Sequence, residues 1–170
     1  MTRVKEVLSE LHSLGIEFVI IGGVAATIHG STYTTNDLDL CYRRTPKNLD
    51  KLASWLQSHK ATLRGASSDL PFIPNGKTLQ AGLNFTFSTD FGDVDFLGEV
   101  QSVGSYDEVI KNSDVIEVFG VPCPVLNLTT LINIKKKIGR PKDTAVAIEL
   151  EAIKELLEKN RKEDSQQIKE

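Results

Sequence analysis

The segment Phe18–Tyr42, FVIIGGVAATIHGSTYTTNDLDLCY, constrains the fold more than any other part of the chain. Phe18, Val19, Ile20 and Ile21 form an apolar run dominated by β-branched residues, the composition of a buried strand. Gly22 and Gly23 stop it. A glycine pair permits a sharp turn and lets other atoms approach the main chain where a Cβ would otherwise stand. Val24 to His29 predicts a short helix, whose first N–H groups would be unpaired and able to attract phosphate oxygens. Beyond a hydroxyl-rich loop, Asp37, Leu38, Asp39 and Leu40 alternate with period two. In a strand both carboxylates then share one face and both leucines the other. Adjacent carboxylates repel unless a cation lies between them, and hard oxygen donors of this kind suit Mg²⁺.

The pattern of a strand ending in Gly-Gly, thirteen residues, and Asp-Leu-Asp-Leu resembles the signature of the DNA polymerase β-like nucleotidyltransferase superfamily. Within it, IIGGVAATIHGSTYTTNDLDL followed by LINIKKKIGRPKD is similar to the AbiEii-type group of bacterial nucleotidyltransferases, many of them toxins of toxin–antitoxin pairs. The similarity runs from about Gly15 to Leu157. It implies an α/β (α+β) nucleotidyltransferase fold, with a mixed central sheet flanked by helices and C-terminal helices packed on the core. It also implies use of a nucleoside triphosphate with two Mg²⁺ ions, for which Mn²⁺ can substitute, and a cognate antitoxin as a candidate partner.

At 170 residues the chain has the length of one ordinary domain. That domain is expected over 1–160, with a helical C-terminal part at about 127–159 and a flexible polar tail over 161–170. A formal net charge of −3 argues against non-specific coating of nucleic acid but leaves room for a local basic patch. Cys41 and Cys123 lack metal-ligand spacing and read as small core residues in a reducing compartment. There is no basic-then-apolar leader and no apolar run near the ~18 residues that span a bilayer. The expectation is a cytoplasmic protein without a membrane segment.

Apolar spacing predicts helices over 3–14, 46–58, 106–111, 127–138 and 143–157. Trp55 is the packing anchor of the second. Leu83, Phe85 and Phe87 alternate into a strand that turns at 89–92 and pairs with 93–97, and two short strands meet at Gly120. Asp93 and Asp95 lie on the same strand face, so geometry leaves open which one joins Asp37 and Asp39. The resemblance places the third carboxylate before an apolar pair near the strand end, which favours Asp95 over Asp93. Residues 64–82, with Gly65, Pro71, Pro74, Gly76 and Gly82, predict a long connection bordering the site. Phe72 and Lys77 lie in it, and neither is assigned a role.

The expected catalytic and metal-binding set is therefore Asp37, Asp39 and Asp95, with Asp95 also placed to take the acceptor proton. The expected nucleotide-binding set is Gly22, Gly23, Ser31, Thr35 and Lys135. The loop hydroxyls among these also suit local backbone satisfaction, and Lys135 takes the place of the family's helix lysine by resemblance. His29 flanks the site and reads as structural. The acceptor is expected to be a macromolecular hydroxyl, on a tRNA end or a protein, the RNA version being supported by the basic run Lys135–Lys142. Tyr33 stands where the group often carries arginine, which favours a second reading as an inactive nucleotide-binding or partner-binding module. Transfer to a small molecule such as an aminoglycoside is a third reading, disfavoured by the scant apolar sequence after Leu157.

Overall fold

Val7, Leu8 and Leu11 recur on one face of the first helix, α1 (Val4–Ser13), and all three are buried. The computed structural model describes residues 1–66 and 72–167. After α1 come β1 (Phe18–Ile20), α2 (Gly22–Ile28), β2 (Leu38–Tyr42), α3 (Pro46–Ser58), β3 (Thr62–Leu63), α4 (Gly76–Ala81), β4 (Asn84–Thr89) and β5 (Gly92–Leu97). A small ribbon, β6 (Glu99–Val100) with β7 (Gly104–Ser105), leads into α5 (Tyr106–Lys111), β8 (Ser113–Val118), β9 (Val121–Leu126), α6 (Leu128–Ile138) and α7 (Pro141–Gln167).

Seven strands form one mixed sheet in the order β3-β4-β5-β2-β1-β9-β8. The β2–β5 and β1–β9 pairs are parallel and the others antiparallel. Register aligns Leu38 with Val94, Asp39 with Asp95 and Leu40 with Phe96. Because side chains alternate, one face of this central pair is apolar and the other acidic. On the apolar face Phe87 and Tyr42 pack around Phe96, and Trp55 of α3 closes the layer with its ring 6.2 Å from that of Phe96. The Trp55 indole N–H donates to Glu10 of α1 at 2.9 Å, which satisfies the polar edge of a ring that is 2% exposed.

Several boundaries differ from expectation for identifiable reasons. The glycine pair does not precede α2 but forms its first turn. The 64–82 connection contains α4, started by an Asn75–Thr78 capping box that the surrounding Gly and Pro residues obscured. Phe72 packs against Phe85 and Phe87, and Lys77 sits on α4 beside α3, so both lie away from the acidic face. Residues 67–71 of this connection lie outside the described residues. The tail expected from 161 is helical as far as Gln167, where α7 continues past its last contact with the core, Ile153, and is exposed over 155–165; residues 168–170 lie outside the described residues. No helix among the described residues is long and apolar enough to cross a membrane. Both cysteines are free and buried, and burial pushes their thiols up to about 12 at Cys41 and about 11 at Cys123.

Candidate active site

Asp39 on β2 and Asp95 on β5 are direct neighbours across a parallel pair, and Asp37 lies just ahead of β2. One carboxylate oxygen from each falls within 4.8 Å of the others, a separation that a shared cation can span. The Thr35 hydroxyl donates to Asp37 at 2.5 Å. Asp93 stands apart from this trio: it accepts from Ser88 at 2.7 Å and pairs with Arg64 at 3.0 Å. Geometry thus brings Asp95, not Asp93, to Asp37 and Asp39.

The electrostatics are those of a site short of positive charge. Burial, then repulsion from Asp37, raises the Asp39 carboxyl above its ordinary value, against the Gly23 N–H, Lys135 and Arg64. Burial likewise pushes Asp95 up to about 6, with Asp39 and Asp37 adding to the rise and Arg64 opposing it. Asp93 moves the other way, held below the ordinary carboxylate range by Ser88 and then Arg64.

The glycines serve a purpose the sequence alone does not reveal. Gly22 has φ +64, and a Cβ there would lie 2.0 Å from Asp39 Oδ2. A Cβ on Gly23 would lie 2.7 Å from the Cβ of Thr35. The space behind the glycines is therefore filled by the site's own Asp39 and Thr35, and the Gly23 N–H is directed at the Asp39 carboxylate. Of the pair, Gly23 lines the acidic cleft.

That cleft, about 210 Å³, is closed opposite the carboxylates by the α6–α7 corner. Gly139, at φ +69, ends α6 in the left-handed conformation, and Pro141 starts α7. The corner places Lys135, Arg140 and Lys142 on the cleft wall. Asp143, fully buried in the first turn of α7, pairs with Lys135 at 2.7 Å and with Arg140 at 2.6 Å. Burial opposes its charge, but hydrogen bonds from Lys135 and Arg140 outweigh that and hold its carboxyl below the ordinary range. Sequence reasoning missed Asp143 and Arg140. The i,i+3 spacing from Arg140 to Asp143 was visible; the burial that makes Asp143 matter was not.

Ser31 does not line the cleft. Its hydroxyl donates to Glu149 of α7 at 2.6 Å, and the same carboxylate accepts from the Thr32 N–H and hydroxyl at 2.8 Å each. Tyr33, 43% exposed, does line it. The His29 Nε2 lies 2.7 Å from the Leu126 carbonyl, so that nitrogen carries the proton and the ring is a structural tie between α2 and the end of β9.

No protein-family model and no curated protein matches the sequence. Solved structures do. The lincosamide antibiotic adenylyltransferase LnuA, lincomycin-bound, matches with a TM-score of 0.60 at 10% identity, over 90% of this chain and 98% of that one. ANT(2'')-Ia in complex with adenylyl-2''-tobramycin matches at 0.54 and 10% identity, over 93% and 96%. An antigenic nucleotidyltransferase-like protein from Paracoccidioides brasiliensis matches at 0.54 and 16% identity, over 90% and 74%. This chain has the nucleotidyltransferase fold. At such identities the likeness is one of architecture, and the AbiEii-type grouping rests on the sequence motifs alone.

Proposed function

We propose that the protein is a divalent-metal-dependent nucleotidyltransferase that moves a nucleoside monophosphate from a nucleoside triphosphate to a hydroxyl of a small organic acceptor. The observation that carries this reading is the convergence of Asp37, Asp39 and Asp95 within 4.8 Å, facing a wall of cations across one cleft. The fit to a metal is chemical: three hard oxygen donors, two of them with carboxyls raised by burial and mutual repulsion, form a site that a divalent cation would relieve. Asp37, Asp39 and Asp95 would hold Mg²⁺ or Mn²⁺, which when bound neutralises phosphate charge and polarises the attacking and leaving oxygens. Asp95, with a carboxyl near 6, is suited to accept the proton of the attacking hydroxyl around neutral pH. Lys135 and Arg140, held by Asp143, face the carboxylates and are suited to the charge of the triphosphate, with Gly23 and Thr35 on the opposite wall. These cations meet the need left by Tyr33 in place of arginine, which weakens the inactive-module reading.

Two observations favour a small acceptor. LnuA, matched over 98% of its length, is a lincomycin-bound adenylyltransferase, so lack of apolar sequence after Leu157 is no argument against a small substrate. In addition, a largely apolar groove of about 440 Å³ between α1, α2 and the β8–β9 turn meets the cleft at Thr35 and Asp37, where the body of such a molecule fits. Three of the five cations in the basic run cited for RNA are held by carboxylates of the chain itself: Lys135 and Arg140 pair with Asp143, and Lys136 with Glu151. The macromolecular, toxin-like reading keeps the support of the AbiEii-type motifs. The deciding experiment supplies each nucleoside triphosphate with Mg²⁺ or Mn²⁺ to three acceptor sets: lincosamides and aminoglycosides, total RNA, and total protein. A nucleotidylated small molecule, absent with Asp39→Ala, is expected. Labelling of RNA or protein alone would transfer the reading to a macromolecule. No Asp39-dependent pyrophosphate release with any acceptor would refute it.

A further inference from the structure

Arg64 lies just past β3, where its N–H donates to the Thr86 carbonyl at 2.9 Å. The registers Leu63–Phe87, Thr86–Asp95 and Asp39–Asp95 put Arg64, Thr86, Asp95 and Asp39 in one row across four chain segments, all on the acidic face. Two interstrand steps of about 4.8 Å separate the backbone of Arg64 from that of Asp95. An arginine side chain reaches across that span, over the small Thr86. Its fork ends on two carboxylates at once: one nitrogen lies 3.0 Å from Asp93 Oδ2, and the other bonds Asp95 Oδ1. Asp93 is itself fixed through its other oxygen by the Ser88 hydroxyl.

This arrangement divides the acidic trio. Asp37 is bonded by a neutral hydroxyl and Asp39 faces a backbone N–H, whereas Asp95 is in direct contact with a guanidinium. Among the described residues, a cation arriving between Asp37 and Asp39 meets no fixed charge in contact with its ligands. One that recruits Asp95 must displace, or sit beside, a positive group that is 31% exposed and still tethered to Asp93. A polyphosphate changes the balance, because its negative oxygens offset the charge of the incoming ion and give the released arm of the guanidinium a new partner.

We propose that Arg64 is a resident counter-ion that keeps Asp95 from a second divalent cation until that cation arrives with a polyphosphate, while Asp37 and Asp39 accept a first ion without it. Asp93 then acts as the tether that retains Arg64 beside the site after it lets go of Asp95. The proposal rests on the reading of the trio as a metal centre, and it gives Arg64 a positioning role rather than a catalytic one.

The test counts Mn²⁺ ions bound per chain by equilibrium dialysis, with inorganic tripolyphosphate as the added probe. Wild type is expected to bind one ion alone and two with tripolyphosphate. Arg64→Gln is expected to bind two without it, Arg64→Lys one, and Arg64→Gln with Asp95→Asn one again. Two ions in the wild type without tripolyphosphate, or one in Arg64→Gln, would overturn the proposal while leaving the metal centre intact. Failure of the metal centre itself has a different signature: no ion in the wild type under either condition. Should Arg64→Gln not fold, the wild-type comparison decides alone, two ions without tripolyphosphate overturning the proposal and a step from one to two supporting it.

Discussion

Replacing Gly22 with alanine tests whether the helix start is built around Asp39. The residue sits at φ +64, where an L side chain costs about 1 kcal/mol. The new Cβ would lie 2.0 Å from Asp39 Oδ2 and 2.7 Å from its Cγ, against a practical limit near 3.0 Å. The carboxylate must therefore retreat by about 1 Å, at roughly 1 kcal/mol for an off-rotamer side chain. The Asp39 Cβ, 2.8 Å away and fixed by its strand, must give as well, a further contribution of about 1 kcal/mol. A stiffer unfolded chain returns about 0.5 kcal/mol, which leaves a loss of about 2–3 kcal/mol. At about 2–4 °C per kcal/mol, the thermal midpoint should fall by roughly 5–10 °C. Asp39→Ala removes the obstructing carboxylate but keeps the Cβ that would lie 2.8 Å from the new one, so in that background Gly22→Ala should cost the backbone strain and that residual contact, about 1 kcal/mol less than in the wild type. The assay is thermal melting of the four proteins of this cycle in chelator, with Mn²⁺ titration of wild type and Gly22→Ala in parallel. A Gly22→Ala protein that melts with the wild type and binds Mn²⁺ equally would refute the reasoning. So would an equal cost in both backgrounds.

Two further outcomes follow from the charges. Because the Asp95 carboxyl is raised from 3.8 to about 6 in the folded state, folding retains its proton longer, so metal-free stability should decline as pH rises through that window. The ceiling is about 3 kcal/mol for a shift of about two units. In chelator, Asp95→Asn should therefore melt above wild type at pH 8 and with it near pH 4, whereas added Mn²⁺ should reverse the order at pH 8; a less stable variant in chelator at pH 8 would contradict this. Asp143→Asn leaves Lys135, only 12% exposed, without its counter-charge, while Arg140, 58% exposed, stays solvated; the change should cost about 2 kcal/mol by denaturant unfolding. Since the Asp143 carboxyl is depressed, the wild-type advantage should persist at neutral pH and disappear only as pH falls through that depressed value. A change under 1 kcal/mol would show that the two cations need no fixed partner.

What the sequence revealed were features carried by local period. The alternation of Asp37 to Leu40 and the apolar repeats of α1, α3 and α6 each express one element's own geometry. The β5 alternation was equally plain, yet the choice of Asp95 over Asp93 needed the family resemblance, because both lie on one face until strand order supplies their neighbours. Arg64 was illegible for the same reason: β3 is two residues long, and nothing local says that the residue after it aligns with Thr86. Asp143 looked like an ordinary first-turn acid, and only packing of α7 on α6 buries it. Ser31 was assigned to the nucleotide by its place in a polar loop; its partner, Glu149, lies far away in the chain.

The alignment of Asp39 with Asp95 makes the separation of two metal ligands a backbone quantity. Adjacent strands lie about 4.8 Å apart in any protein, whatever their side chains. The sheet thus works as a ruler, and equal-length side chains at both marks read it correctly. Lengthening one of them to glutamate keeps the charge but adds a carbon, so the two oxygens no longer meet at the graduation that the strands define.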